Sequence, residues 1–432
     1  MNTSKLLLMV ITVALTSCYF FPFVLEALPI ANSKMILALL GLVMFGINLA
    51  KKGNAGTNFD FVQLSAWALV ISLIAYASIT INNTPDATFV SYIISMWVWL
   101  GGAYSIIMFI KQIHGKTTVP LVVNYLLAVC VLQCVLALIF NNFTAADEWH
   151  SSTFGGEAYM GNTDEDRLHG IGCALDVAGF RFAAIISMTS FLLSNNEIKK
   201  SKWTDDLYLA SICFISIIGN MISRSTIIGT ITALIIIIYM SVFVRLDIKL
   251  IKKLSAIIIG ALIICTYLYA INPVFRSNFR FGFEGFFSLA EKGEWQTHSN
   301  DILKKMIVWP DNIKTWIIGD GYLNNPADKS LSTYDPYFVG KFHGYYMGTD
   351  IGYLRYIFYF GLIGLITFSI FFIQTFRMLS RKFPAFKWIF LIALAINFIQ
   401  WFKVSTDLFV VFAPFLCLSF QENEDSTITS EN

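Results

Sequence analysis

The 432-residue chain is 56% hydrophobic and only 13% charged, with a formal net charge of +2. Soluble globular chains carry about 25% charged residues, so the composition excludes one. The near-neutral balance excludes a nucleic-acid partner. Apolar runs of about 20 residues recur from end to end, each long enough to cross a bilayer, and they define an all-α polytopic membrane protein.

The first run, in "MNTSKLLLMVITVALTSCYF", has the outline of a signal peptide, and "LTSC" resembles a lipoprotein cleavage site. A second apolar run follows within a few residues, which predicts a retained first helix in a helical hairpin. Residues 1–140 hold five predicted transmembrane helices, near 6–24, 34–50, 61–81, 89–110 and 119–140. A first long connection spans 141–173. Helices near 174–194, 207–222, 226–244 and 254–271 fill residues 174–271, with "GNMISRST" splitting one long apolar region in two. The second long connection spans 272–350. Within it, "HSNDILKKMIVWP" predicts a short helix capped by Ser299 or Asn300 that stops before Pro310. Helices near 351–375, 388–402 and 405–420 complete a set of about twelve, and the acidic tail 421–432 is expected to be solvated.

Alternate short connections collect Lys and Arg: Lys51 and Lys52; Lys111 and Lys116; Lys199, Lys200 and Lys202; Arg245, Lys249, Lys252 and Lys253; Arg377, Arg381, Lys382 and Lys387. Basic loops stay cytoplasmic, which predicts cytoplasmic termini and puts both long connections on the outer side. Loops of that length usually carry function or fold on their own. The seven cysteines fall mostly within apolar runs, and none lies after 271 until Cys417. This argues against a disulfide framework or a zinc-binding cysteine set. Cys130 and Cys134, one helical turn apart, read as buried packing.

Charged residues near the membrane entry points are the candidates for chemistry. His343 and Asp350 precede the tenth span and Arg355 lies about one turn inside it, followed by Gly361 and Gly364, which allow close helix approach. Tyrosines, His and Lys at headgroup level fit an interfacial belt, but intramembrane charge needs a partner or a task. Arg181 follows Asp176 by about a turn and a half, as in a local ion pair. Arg224, in "MISRSTIIG", reads as an anchor snorkelling to water. Arg167, in "DEDRLHG", reads as a surface charge paired with Asp164 or Asp166. Lys403 and Asp407, one turn apart, read as neutralising each other. Taken together, several arginines gather on the outer side, where planar guanidinium groups suit multidentate phosphate recognition. A diphosphate tethered to lipid would lie at that level. "NTDEDR" has a faint calcium-loop spacing, but Arg167 replaces the glycine and the closing Glu is missing. Walker, dinucleotide-binding, HExxH and GxSxG motifs with supporting context are absent.

Three segments carry a family resemblance: "SRS" at Ser223–Ser225 leading into an apolar helix, "WPDNIKTWIIGDGY" from Trp309 to Tyr322, and "TDIGYLRYIFYFGLIG" from Thr349 to Gly364. On these, and on the layout of spans with a large outer loop before the last few, the chain resembles the bacterial O-antigen polymerase (Wzy-type) family and the related O-antigen ligases. The ligases have a His–Asn pair where this chain has Thr349 and Asp350, which favours the polymerase. The resemblance implies a glycosyltransferase of the inner membrane with its site facing the periplasm. Its partners would be undecaprenyl-diphosphate-linked oligosaccharides, with a flippase and a chain-length regulator in the same membrane. In such an enzyme Arg224, Arg181, Arg167 and Arg355, then Arg276 and Arg280, would hold the diphosphate. Asp350 or His343 would take the acceptor proton. Trp295, Trp309, Trp316 and Tyr345 would stack on sugar faces or pack the loop's own core. Guanidinium groups can neutralise a diphosphate, so no metal or cofactor is expected. The rival readings are a ligase acting on lipid A core, a lipid-linked glycan flippase or transporter, and a metal-dependent glycosyltransferase. The last needs acidic residues in the first outer loop, where "EALPIANS" offers only Glu26.

Overall fold

A computed structural model describes residues 3–52, 59–154, 167–195, 204–244, 247–323 and 346–418. Its long helices are α1 Thr3–Phe20, α2 Ser33–Lys52, α3 Phe59–Asn82, α4 Tyr92–His114 and α5 Val119–Asn142. The short α6 Thr144–Thr153 precedes α7 Leu175–Ser194, α8 Thr204–Ile222, α9 Thr226–Tyr239 and α10 Ile248–Ile271. A π-helical turn, Met240–Val244, extends α9. Four short helices follow, α11 Pro273–Gly282, α12 Glu284–Lys292, α13 His298–Lys305 and α14 Ile313–Ile318. The chain closes with α15 Gly352–Lys382, α16 Lys387–Gln400 and α17 Phe409–Leu416.

Among the described residues, ten helices are long and apolar enough to cross a membrane: α1 to α5, α7 to α10 and α15. The protein is a multi-pass, all-α membrane protein. The sequence led us to expect about twelve spans, and the last two differ. α16 has 14 residues and α17 has 8, with Pro414 inside. At 1.5 Å per residue these are about 21 and 12 Å long, short of a bilayer core of about 30 Å. The first helix also stops earlier than expected, at Phe20, because Pro22 cannot continue it. A small antiparallel hairpin, Val24–Leu25 with Leu28–Asn32, turns the chain into α2. The helix of the large loop is capped by Thr297, whose hydroxyl accepts from the Asn300 N–H, rather than by Ser299 or Asn300.

Helix α7 is the axis of the bundle: it is buried inside the protein along almost its whole length, whereas α10 is exposed along almost all of its own. Small residues account for this. Gly229 of α9 lies so close to Ala183 of α7 that a methyl there would overlap the Ala183 backbone. The lipid-facing role falls to α10, whose Ile259, Leu262, Ile263 and Ile264 are exposed.

The antiparallel alternation of helices brings 82–92, 142–154, 167–175, 222–226, 271–323, 346–352 and 400–409 to one end. The basic residues Lys111, Lys116, Lys249, Lys252, Arg377 and Arg381 lie at the other. At the first end a buried aromatic stack centres on Trp401. Its ring lies parallel to Phe368 at 5.2 Å and edge-on to Tyr356 at 5.1 Å, and its indole N–H donates to the Thr406 carbonyl at 3.0 Å. This anchors the 401–406 turn.

The two loop motifs from the sequence meet at the same end. Helix α15 breaks at Phe360 and Gly361, where Gly361 adopts φ +67°. Into that break the 318–321 strand of chain fits its backbone. The Asp320 N–H donates to the Phe358 carbonyl at 2.7 Å and the Gly321 N–H to the Tyr359 carbonyl at 3.0 Å. Ser78 of α3 donates to the Ile318 and Tyr359 carbonyls, tying three segments together.

Candidate functional site

The Ser223–Arg224–Ser225 turn joins α8 to α9 and faces α7 at its start. Gly179 permits the approach: a β-carbon there would lie 2.5 Å from Ser223 Oγ and 3.0 Å from Ser225 Cβ. Asp176, one turn earlier on the same face of α7, meets the turn with one carboxylate oxygen. Asp176 Oδ1 accepts from Ser225 Oγ at 2.6 Å, Ser223 Oγ at 3.1 Å and Lys403 Nζ at 2.8 Å. Lys403 Nζ also lies 3.3 Å from Ser225 Oγ. The ammonium and two hydroxyls converge on one oxygen of Asp176 at the mouth of the bundle.

Arg224 projects from between the two serines toward the large loop. Its Nε donates to the Phe281 carbonyl at 2.9 Å, and Nη1 reaches Ser299 Oγ at 3.2 Å and Glu284 Oε2 at 2.7 Å. Its guanidinium carbon lies 4.2 Å from the Phe281 ring centroid, and that of Arg167 lies 4.8 Å from the same ring. Both are cation–π distances. Arg167 is held there by its neighbours, since the Leu168 N–H donates to the Met221 carbonyl at 3.2 Å, Gly170 and Cys173 pair, and Gln133 donates to the Ile171 carbonyl at 3.0 Å. Three cations, Arg167, Arg224 and Lys403, thus share one corner with two carboxylates, Asp176 and Glu284.

The six arginines singled out from the sequence do not share one set of partners. Arg181 lies deeper along α7, buried, where it donates to the Phe20 carbonyl and sits between 5.6 and 5.8 Å from the rings of Phe20, Phe21 and Trp99. Phe20 ends α1, so Arg181 satisfies a helix C-terminal carbonyl while Asp176 is taken by Lys403. Arg276 does the same for α10 through the Tyr269 and Ala270 carbonyls, both at 2.9 Å. Arg280 Nη2 donates to both Glu291 carboxylate oxygens, at 2.8 and 3.0 Å. Arg355 is buried and its Nη2 is 3.5 Å from the Leu323 carbonyl.

Asp350 stands just before α15, half-buried. Two residues on, Gly352 packs against the Val404 and Trp401 carbonyls, where any side chain would overlap, and the Tyr353 N–H donates to the Trp401 carbonyl at 3.0 Å. The start of α15 therefore abuts the turn that carries Lys403. His343 and Tyr345 lie outside the described residues, as do Asp164 and Asp166. Next to this junction, Asp320 accepts from Thr315 Oγ1 at 2.8 Å and from the Tyr346 hydroxyl at 3.3 Å, and lies 3.0 Å from Lys314 Nζ. Burial and the Asp320 charge push the Tyr346 phenol well above its ordinary value, so it stays a donor.

The loop tryptophans divide. Trp309 is 62% exposed and lies parallel to Trp316 at 5.9 Å, with the Trp316 indole N–H donating to the Pro310 carbonyl. Trp295 is edge-on to Phe286 at 4.9 Å and covers Gly285. Sequence reasoning missed Lys403 as the partner of Asp176, and Glu284 as that of Arg224. The spacing of Asp176 and Gly179 before a Ser-Arg-Ser turn was the available clue. No protein-family model, curated protein or solved structure matches this chain.

Proposed function

We propose that the protein is a surface-polysaccharide polymerase, a glycosyltransferase that joins polyprenyl-diphosphate-linked repeat units at the outer face of the bacterial inner membrane. The observation that carries this reading is the pairing of Arg167 and Arg224 on one phenylalanine ring, beside Lys403, at the bundle end opposite the basic loops. A diphosphate anchored by its lipid would enter at this height, and guanidinium groups would bind it and stabilise charge as it leaves.

In the reaction, the bond between the donor sugar's anomeric carbon and the diphosphate oxygen breaks. The acceptor hydroxyl oxygen on the new lipid-linked unit forms a bond to that carbon. Its proton passes to a base, and the lipid diphosphate leaves with the electron pair. Asp350 or His343 is the base of this proposal. Arg224 and Arg167 hold the leaving group, Lys403 adds positive charge, and Asp176 with its serines orients Lys403 and the turn. Arg181, committed to the end of α1, acts on the fold rather than on the diphosphate.

Removal of the protein from cells tests the reading. A polymerase predicts surface lipopolysaccharide capped with a single repeat unit. Bare core with polymer left on the lipid carrier points to a ligase, and repeat units trapped on the inner leaflet point to a flippase; either outcome overturns the proposal. Asp350→Asn and His343→Ala, assayed side by side, separate the two bases, and full activity in both removes the base assignment.

A further inference from the structure

On the same end of the bundle, α6 and the segment leading into α7 bring together Asp147, His150 and His169. One ligand-type atom from each lies within 4.8 Å of the other two. Asp147 and His150 are three apart and share a face of α6, while His169 comes from the pinned stretch 167–173. Asp147 Oδ1 is 3.2 Å from His169 Nε2. Those two atoms face each other, while His150 Nδ1 is buried without an aligned hydrogen bond among the described residues. Orphaned buried polar atoms are costly and call for an occupant. Phe140 walls the cluster, its ring 4.7 Å from that of His150 and 6.0 Å from that of His169, and Phe154 covers His150 at 5.6 Å.

From this geometry we propose that Asp147, His150 and His169 bind a divalent first-row transition ion such as zinc. Two imidazoles and a carboxylate form a ligand set for such ions. Bonds of about 2.0–2.1 Å in a tetrahedron set ligand atoms about 3.3 Å apart, close to the 3.2 Å between Asp147 and His169, and the whole set lies within 4.8 Å. The ion would staple α6 to the 167–173 segment and so fix Arg167, two residues from His169. This inference rests on the cluster alone and not on the proposed reaction.

The test is metal binding by the full chain, purified without a polyhistidine tag, stripped with chelator and returned to lipid nanodiscs. Titration with zinc alone is expected to give one equivalent per chain. His150→Ala and His169→Ala should each weaken binding by at least about a hundredfold, the upper range for losing even an outer-shell partner. His114→Ala, at the opposite end beside Tyr125, should leave it unchanged. Should the alanine variants fold poorly, the near-isosteric Asp147→Asn with cobalt(II) as probe decides: the wild type should show visible d–d bands of a low-coordinate site, and the variant should lose them. No uptake by the wild type, or equal uptake by the histidine variants, overturns the proposal. Neither readout involves glycan transfer, so this result and the fate of the polymerase reading stay distinguishable.

Discussion

Lys403 Nζ donates to Asp176 Oδ1 across 2.8 Å, joining the turn after α16 to the first turn of α7 over 227 positions of sequence. The two side chains are 20% and 24% exposed. Removing one partner leaves the other charge poorly solvated. Asp176→Asn and Lys403→Met should therefore each destabilise the protein by about 1–3 kcal/mol. The double variant should lose less than the sum, with a coupling of about 0.5–3 kcal/mol. Thermal unfolding of the four proteins in one detergent measures this; strict additivity would show the pair to be energetically idle.

Arg224 serves as a planar fork, with Nε on the Phe281 carbonyl, Nη1 on Ser299 and Glu284, and its face on the Phe281 ring. A lysine offers one point charge in place of that fork. Arg224→Ala should lower polymer formation by about 10²–10³-fold, the scale for losing one charge-stabilising donor, and Arg224→Lys should recover little of it. Membrane abundance of both should stay normal. Normal chain length in either variant would take Arg224 out of the site.

Hydrophobic run length and loop charge made ten spans and the Ser-Arg-Ser hairpin readable in advance, because a membrane helix must satisfy its own backbone. The partners of the charges were not readable. Asp407, four residues from Lys403, was the local choice, but the stacked Trp401 fixes the turn so that Lys403 faces α7. Asp407 Oδ1 instead accepts the Phe409 N–H at 2.9 Å. Arg181 looked like a ligand-binding cation, yet it meets the end of α1, 161 positions earlier in the chain, which only the folded bundle brings to it. The cap at Thr297 escaped notice because Thr, Ser and Asn sit together there, and the extended backbone of Thr297, not residue type, selects among them.

The glycines separate by surroundings. Gly361 combines φ +67° with a position where a methyl would overlap the Ile317 carbonyl. Gly361→Ala should cost about 2 kcal/mol or more, since neither the backbone nor the 317–318 segment can yield without breaking the Asp320 and Gly321 hydrogen bonds. Gly260 of α10 has open space around its β position, so Gly260→Ala should be neutral or stabilise by up to about 1 kcal/mol through helix propensity. Equal losses of thermal stability in the two variants would contradict this account of the α15 break.

Trp309 and Trp295 allow the two roles of loop aromatics to be told apart. Trp295 covers the α-carbon of Gly285 and meets the Phe286 ring, so Trp295→Ala removes packing and should lower the unfolding temperature. Trp309, 62% exposed on top of Trp316, carries little of the fold. An exposed, stacked indole is a platform on which a sugar face can lie, at a small cost in side-chain freedom. Trp309→Ala should leave the unfolding temperature within a degree or two of the wild type, a shift of under about 0.5 kcal/mol for a surface site. It should raise the KM for the lipid-linked oligosaccharide several-fold with little change in kcat, the pattern of lost uniform binding. A fall in stability equal to that of Trp295→Ala, with KM unchanged, would assign Trp309 to the loop's packing instead.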